Sequence, residues 1–263
     1  MKIAAISDTH GNNVSGMVPE CDVLCICGDI SPSDAPHTIN EQRAWYRNEF
    51  IRHLLAYRNK AKRVVFVAGN HDRFLYNCHL NGQNDAEVRA MLPDGVHYLD
   101  GESIAIDGVK FHGTPWVNLP IWAEAGGAVW NFASKSHEFL AAAYAAIPDD
   151  VDVVLSHGPA YGYCDQILDS GVVDLALAKF GDSLKAEHLG CLPLTARMKE
   201  LAIGGPAKIR SVLSGHIHSA NHQVESWSPL ERSESRVDFC CASVLDEGYA
   251  LGRYEPLELE LNN

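Results

Sequence analysis

The chain of 263 residues carries 21 Lys and Arg against 34 Asp and Glu, a formal net charge of −13, with 46% hydrophobic and 21% charged residues. This is the balance of a globular protein with a sizeable core, and it excludes a disordered, collagen-like or membrane-spanning chain. The acid excess argues against stable nucleic-acid binding and against an anionic membrane surface, both of which need a basic face. Anionic small molecules stay open, because bound divalent cations can reverse the sign locally. The 13 histidines are what most needs explaining.

Met1–Ile6 runs straight into polar Ser7-Asp8-Thr9-His10, too short for a signal peptide. No apolar run nears the roughly 18 residues of a membrane span. Of eight cysteines, several sit in apolar runs such as Val23–Cys27, and neither Cys25/Cys27 nor Cys240/Cys241 has zinc-knuckle spacing. Buried reduced thiols and a cytoplasmic location are therefore expected.

Short Val- and Ile-rich runs, each stopped by a polar cluster, predict buried strands. In chain order, Lys2–Ser7 stops at Asp8-Thr9-His10, Val23–Cys27 at Gly28-Asp29, and Val64–Ala68 at Gly69-Asn70-His71-Asp72. Val151–Ser156 then stops at His157-Gly158-Pro159, and Ile209–Ser214 at Gly215-His216-Ile217-His218. Between them, Thr38 to Glu41 fits a capping box, followed by Tyr46, Phe50, Leu54 and Tyr57 at helical spacing. Phe139, Leu140, Ala143, Tyr144 and Ile147 mark a second amphipathic helix. Segment 165–205 shows no motif. Further strands are expected near His222–Trp227, Val237–Ala242 and Tyr249–Tyr254, around a polar turn at Ser228–Arg236, as a second, more antiparallel sheet. Strands alternating with helices make an α/β protein, read as one domain over 1–263.

Each polar cluster alone has an ordinary explanation as a turn or a satisfied strand end. Together they share one position, directly after a buried strand, and one chemistry, oxygen and nitrogen donors. In Asp8-Thr9-His10 and His216-Ile217-His218, residues i and i+2 of extended chain point to one side and can reach one ion. The donor count is Asp8, His10, Asp29, Asn70, His157, His216 and His218. Seven donors exceed the needs of one metal and suit a pair of ions roughly 3.5–4 Å apart with a bridging carboxylate. Mixed imidazole, carboxylate and amide ligands favour two divalent transition ions, Mn, Fe, Zn, Co or Ni, over Ca or Mg. Such a pair neutralises a phosphate ester and lowers the pKa of bound water from roughly 15.7 towards 7. Trp116, Trp122 and Trp130 are expected to pack as core aromatics, with Trp116 beside Gly113-Thr114-Pro115 the one best placed to meet a substrate. Arg73 is either a phosphate clamp or a surface arginine.

The order Asp-x-His, Gly-Asp, Gly-Asn-His-Asp, His, Gly-His-x-His, from Asp8 to His218, resembles the calcineurin-like metallophosphoesterase superfamily. His112-Gly113-Thr114-Pro115-Trp116 and Leu155–Gly162 are similar to its metallophosphoesterase-domain-containing branch, whose members act as metal-dependent phosphodiesterases, including on cyclic nucleotides. The resemblance implies a four-layer α/β/β/α sandwich of two mixed sheets flanked by helices, with a dimetal site at the strand C-terminal ends. It implies that Asp8, His10, Asp29 and His218 hold one metal, and Asp29, Asn70, His157 and His216 the other, with Asp29 bridging. His71 matches the catalytic histidine, which contacts the scissile phosphate and protonates the leaving oxygen. Asn70, Arg73 and Trp116 are the candidate contacts to a small phosphate-ester substrate. A phosphomonoesterase is the second reading and a lapsed scaffold the third, although none of the ligands is missing. After Gly28-Asp29 the chain reads Ile30-Ser31-Pro32, not the Asp-Arg-Gly of protein phosphatases, which points away from phosphoproteins.

Overall fold

The computed structural model describes residues 1–32, 38–82, 84–119, 130–166, 188–204, 209–220, 223–229, 235–251 and 254–261. Two mixed sheets dominate it. The first has the order β13-β1-β2-β3-β4, built from β1 (Lys2–Ile6), β2 (Cys21–Cys27), β3 (Ala61–Val67), β4 (Val96–Tyr98) and β13 (Leu257–Glu260). Its first four strands run parallel, and β13 is antiparallel to β1. The second has the order β11-β12-β10-β9-β6-β5, from β5 (Glu102–Ile106), β6 (Val109–Thr114), β9 (Val153–Ser156), β10 (Ser211–Ser214), β11 (Val224–Trp227) and β12 (Val237–Cys241). Short strands β7 (Val117–Asn118) and β8 (Ala133–Ser134) pair beside it.

Period-2 alternation sorts the strand residues into three apolar layers. Val23, Cys25, Cys27, Val65 and Val67 meet Val153, Leu155, Leu213 and Cys240 between the sheets. Leu24, Ile26, Val64 and Phe66 face the other way, onto Tyr46, Phe50, Leu54, Tyr57 and Phe74. Val154, Val212 and Phe239 face outward from the second sheet onto Leu140, Tyr144, Leu194 and Met198. The result is helix, sheet, sheet, helix, as expected. All eight cysteines are free and buried. Burial pushes the thiols of Cys191 up to about 11 and of Cys240 to about 12, so they behave as small apolar groups.

The first sheet's helical cover begins at Thr38. Its hydroxyl accepts from the Glu41 N–H (3.2 Å) and the Glu41 carboxylate accepts from the Thr38 N–H (2.6 Å), closing the capping box. Helix α1 (Ile39–Trp45) passes through a π turn (Tyr46–Phe50) into α2 (Ile51–Arg58). Helices α3 (Arg73–Leu80) and α4 (Asn84–Arg89) complete this layer. On the far side, Ser136 caps α5 (His137–Ala145), which packs on α6 (Leu192–Gly204). Part of segment 165–205 thus covers the second sheet, while residues 167–187 lie outside the described structure.

As expected, the second sheet is mixed and the more antiparallel of the two: β12, β10, β9 and β6 run parallel, while both edge strands, β11 and β5, reverse, against β13 alone in the first sheet. One expectation is corrected: there is no strand over Tyr249–Tyr254 in its described residues. The Asp246 carboxylate accepts the N–H groups of Gly248 (2.9 Å) and Ala250 (3.0 Å), and its carbonyl accepts that of Tyr249 (2.8 Å). That closes a turn before a ladder can start. The last strand is β13 instead, in the first sheet.

Candidate metal centre

The C-terminal ends of β1, β2 and β3 meet those of β9 and β10, so the five polar clusters converge on one rim. The loops there are under backbone strain. Asp8 (φ 55°), His10 (φ 42°), Asp29 (φ 49°) and His216 (φ 69°) are all left-handed, a conformation costing of order 1 kcal/mol or more per non-glycine residue. They are held by a cross-loop ladder: Asp8 N–H to the Gly28 carbonyl (3.0 Å), His10 N–H to Asp29 (3.0 Å) and Gly11 N–H to Ile30 (2.8 Å). Gly69 and Gly215 allow the final approach. A Cβ on Gly69 would strike the Asp29 carboxylate, and one on Gly215 would strike the side chains of Ser7 and Asp8.

The side chains form two groups, Asp8 with His10 and His218, and Asp29 with His157 and His216. Within each group, the candidate ligand atoms lie within 4.8 Å of one another. Asp29 stands between the groups, its Oδ2 lying 3.3 Å from His157 Nε2 and 3.9 Å from His10 Nε2. Asn70 Oδ1 lies 2.9 Å from His157 Nε2. His71 stands at the mouth, its side chain 34% exposed and its Nε2 3.9 Å from Asp29 Oδ2. Its backbone N–H donates to Asp29 Oδ1 (2.8 Å). All seven donors of the sequence reading, and His71, are thereby brought together.

Contacts behind the donors aim them. His157 Nδ1 meets the Cys27 carbonyl (2.8 Å), and His218 Nδ1 meets that of Asp246 (2.9 Å). With Nδ1 engaged by a carbonyl, each ring turns its Nε2 to the cleft, the nitrogen that a metal would take on displacing the proton. Ser243 Oγ donates to Asp8 Oδ2 (2.6 Å), which also accepts the His216 N–H (3.0 Å). Asn131 donates through its backbone and side chain to the Asn70 carbonyl (3.0 and 2.9 Å). Gln42 spans the His71 carbonyl and the Phe74 N–H, both at 2.9 Å. Asp72, although part of the Gly-Asn-His-Asp cluster, turns away from the cleft. It accepts from Gly69 N–H (2.7 Å), Ser31 Oγ (2.6 Å) and Tyr46 Oη (2.9 Å), tying its own loop to the loop after β2 and to the π turn behind them.

The electrostatics are those of a site short of positive charge. Burial alone would raise the Asp8 and Asp29 carboxyls, but the neighbouring histidines hold both below the usual carboxylate range. Burial disfavours the charged forms of His157 and His218, yet the facing carboxylates push each up to about 9. At His10 and His216 burial prevails, taking them down to about 4 and about 3. Both ring nitrogens of His10 are buried without a hydrogen-bond partner. A neutral, unsatisfied imidazole between two buried carboxylates fits a cation.

Beyond the donors, the cleft of about 140 Å³ is lined by Trp130, Leu189, Ile217, Glu247 and Tyr249. Arg73 lies outside that lining, in a neighbouring groove with Ile39, Tyr76 and Leu80. Trp116 packs among Phe139 (4.5 Å between ring centroids), His79 and Phe132 (both 5.5 Å). Trp122 lies outside the described residues. A larger open hollow of about 580 Å³, lined by Lys2, Arg58, Lys60, Lys62 and Arg63 with Glu20 and Asp22, sits at the opposite ends of β1–β3 and contains no histidine. Sequence reasoning missed Asn131, Ser243, Asp246 and Tyr249, which belong to no recurring cluster.

Two helix-covered mixed sheets with paired Asp–His groups on one rim are the architecture of the calcineurin-like fold. The calcineurin-like phosphoesterase family profile matches residues 1–220, and the chain belongs to that family. A UPF0046 protein of Caenorhabditis elegans is 31% identical over 176 residues, which is 64% of this chain and 54% of that protein. Metallophosphoesterase domain-containing protein 1 of Homo sapiens is 24% identical over 234 residues, 82% of this chain and 60% of that protein. The chain therefore spans little more than half the length of these curated relatives. A solved crystal structure shares the fold, with a TM-score of 0.55 and 12% identity over 90% of this chain and 88% of that one. Among the described residues, no helix is long and apolar enough to cross a membrane.

Proposed function

We propose that the protein is a phosphodiesterase that hydrolyses small phosphate diesters, cyclic nucleotides among them, with two divalent transition ions. The observation that carries this reading is His10, buried and unsatisfied beside Asp29, which itself stands between two ligand groups. Asp8, His10, Asp29 and His218 hold one ion, and Asp29, Asn70, His157 and His216 the other. When bound, Mn, Fe, Zn, Co or Ni ions neutralise the phosphoryl oxygens and acidify a bound water. The protein's own groups do the rest. Asp29 compensates both ions, and Asn131 fixes the Asn70 loop. His71, exposed at the mouth and anchored through Gln42, donates a proton from Nε2 to the departing oxygen.

Two features support a small diester. The cleft is narrow, and among the described residues no Lys or Arg lines it to take the second charge of a monoester. Eight buried free cysteines support a reducing, cytoplasmic setting. The test is a hydrolysis panel with metal-reconstituted protein: p-nitrophenyl phosphate, bis-p-nitrophenyl phosphate, and 2′,3′- and 3′,5′-cyclic nucleotides. Faster turnover of the diesters is expected. A preference for the monoester would overturn the diester assignment, and inactivity throughout would overturn the hydrolase.

A further inference from the structure

Two large aromatic rings stand on the ligand groups, one on each. Trp130 meets His216 edge-on (5.2 Å between centroids), and Tyr249 lies against His10 (4.7 Å) and His218 (5.1 Å). Both line the cleft. Tyr249 is kept there at a cost: its φ of +61° is left-handed, rare for a bulky residue, and 45% of it remains exposed. The turn that holds it is built by Asp246, whose carbonyl also meets His218 Nδ1 (2.9 Å), so the ring and the ligand are fastened to one element. Strain and exposure at an aromatic residue are poor economy for packing alone. They make sense where a ligand covers the ring.

We propose that Trp130 and Tyr249 form a specificity subsite that binds a flat aromatic group carried by the phosphate ester, a nucleobase or an aryl ring. The inference rests on the phosphoesterase reading for the seat of the phosphate and adds what lies beside it. Leu189 and Ile217 extend the apolar lining, and Glu247 offers an acceptor to a ring N–H or exocyclic amine. Stacking on an aromatic side chain is tolerant of base identity, so the subsite selects for a ring and not for one base.

The test compares ligands that differ only in the ring. Binding of AMP and of ribose 5-phosphate to Mn²⁺-reconstituted protein is measured by calorimetry, with metal content checked in every variant. Wild type is expected to bind AMP roughly tenfold or more tightly. Trp130→Ala and Tyr249→Leu should each remove most of that ratio, whereas Tyr249→Phe keeps it. Phenyl phosphate against methyl phosphate separates the sources. A ring preference shared by that pair assigns any aryl group; one confined to AMP assigns the base. Equal binding of AMP and ribose 5-phosphate to wild type overturns the subsite, and so does a ratio that survives both variants. Metal loss in Tyr249→Leu with the ratio intact in Trp130→Ala reduces the rings to a shield for the ligands, and also overturns it. Turnover of bis-p-nitrophenyl phosphate judges the hydrolase separately: activity with no ring preference sinks only the subsite, and ring preference without activity sinks only the hydrolase.

Discussion

Ser243 Oγ lies 2.6 Å from Asp8 Oδ2, a hydrogen bond between residues 235 positions apart, both fully buried. The hydroxyl fixes which way the carboxylate faces and leaves Oδ1 nearer His218 Nε2, at 3.5 Å. Partners behind metal ligands typically contribute about 10–100-fold in affinity. Ser243→Ala should therefore weaken metal binding by roughly that factor with little change in circular dichroism. Competition against a chelator measures it, and unchanged affinity would reduce the contact to packing.

Asp29→Asn should deplete both metals. An amide in that place cannot compensate two dications, and it leaves His157 and His10 without the charge they now face. Elemental analysis is expected to find well under two metals per chain in a folded variant. Two fully occupied sites would remove Asp29 as the shared ligand.

His71→Ala separates proton donation from metal binding. A ribose alkoxide needs the proton far more than p-nitrophenolate does. Loss of a general acid costs about 10²–10⁴ in rate, so activity on a cyclic nucleotide should collapse while bis-p-nitrophenyl phosphate loses distinctly less. Metal content should stay at the wild-type level. Equal losses on both substrates would assign His71 to positioning or charge stabilisation.

Acid should destabilise the fold partly through His112, remote from the metal ligands in sequence and buried beside Ser103 Oγ at 2.9 Å. Burial, with some help from Lys110, takes its pKa from 6.5 down to about 4. The unfolded chain takes up the proton first, so this contribution is complete above pH 6.5 and is lost as pH falls towards 4. Between pH 7 and pH 5 the loss is about 2 kcal/mol. His112→Gln should lower stability at pH 7 but flatten the fall to pH 5 by about that amount, read from urea unfolding of the metal-free protein. An unchanged slope would show that His112 does not carry it.

The layers were legible because period-2 burial works on local sequence: Val23–Cys27 and Val64–Val67 had to place alternate residues on two apolar faces. The donors were legible because each follows a buried strand. What stayed hidden was non-local. Nothing around Asn131 or Gln42 distinguishes an amide that grips a remote carbonyl from one facing water. Tyr249–Tyr254 has strand-like residues, but Asp246 upstream draws Tyr249 and Ala250 into a turn. Leu257–Glu260 is hard to read as a strand because alternating Leu and Glu on a half-exposed edge carries a weak apolar signal, and its partner is β1, far away in sequence.

The bridge between Ser7 and Ser243, and the pairing of β1 with β13, have a bearing on biosynthesis. Translation delivers Ser243 and Asp246, which orient Asp8 and His218, more than 230 residues after Asp8. A nascent chain halted before Ser243 holds the Asp8 loop unbraced and one edge of β1 without its partner strand. The bracing of Asp8 and His218 is thus complete only once translation has passed Asp246, and a prematurely terminated chain keeps these ligand loops without the contacts that aim them.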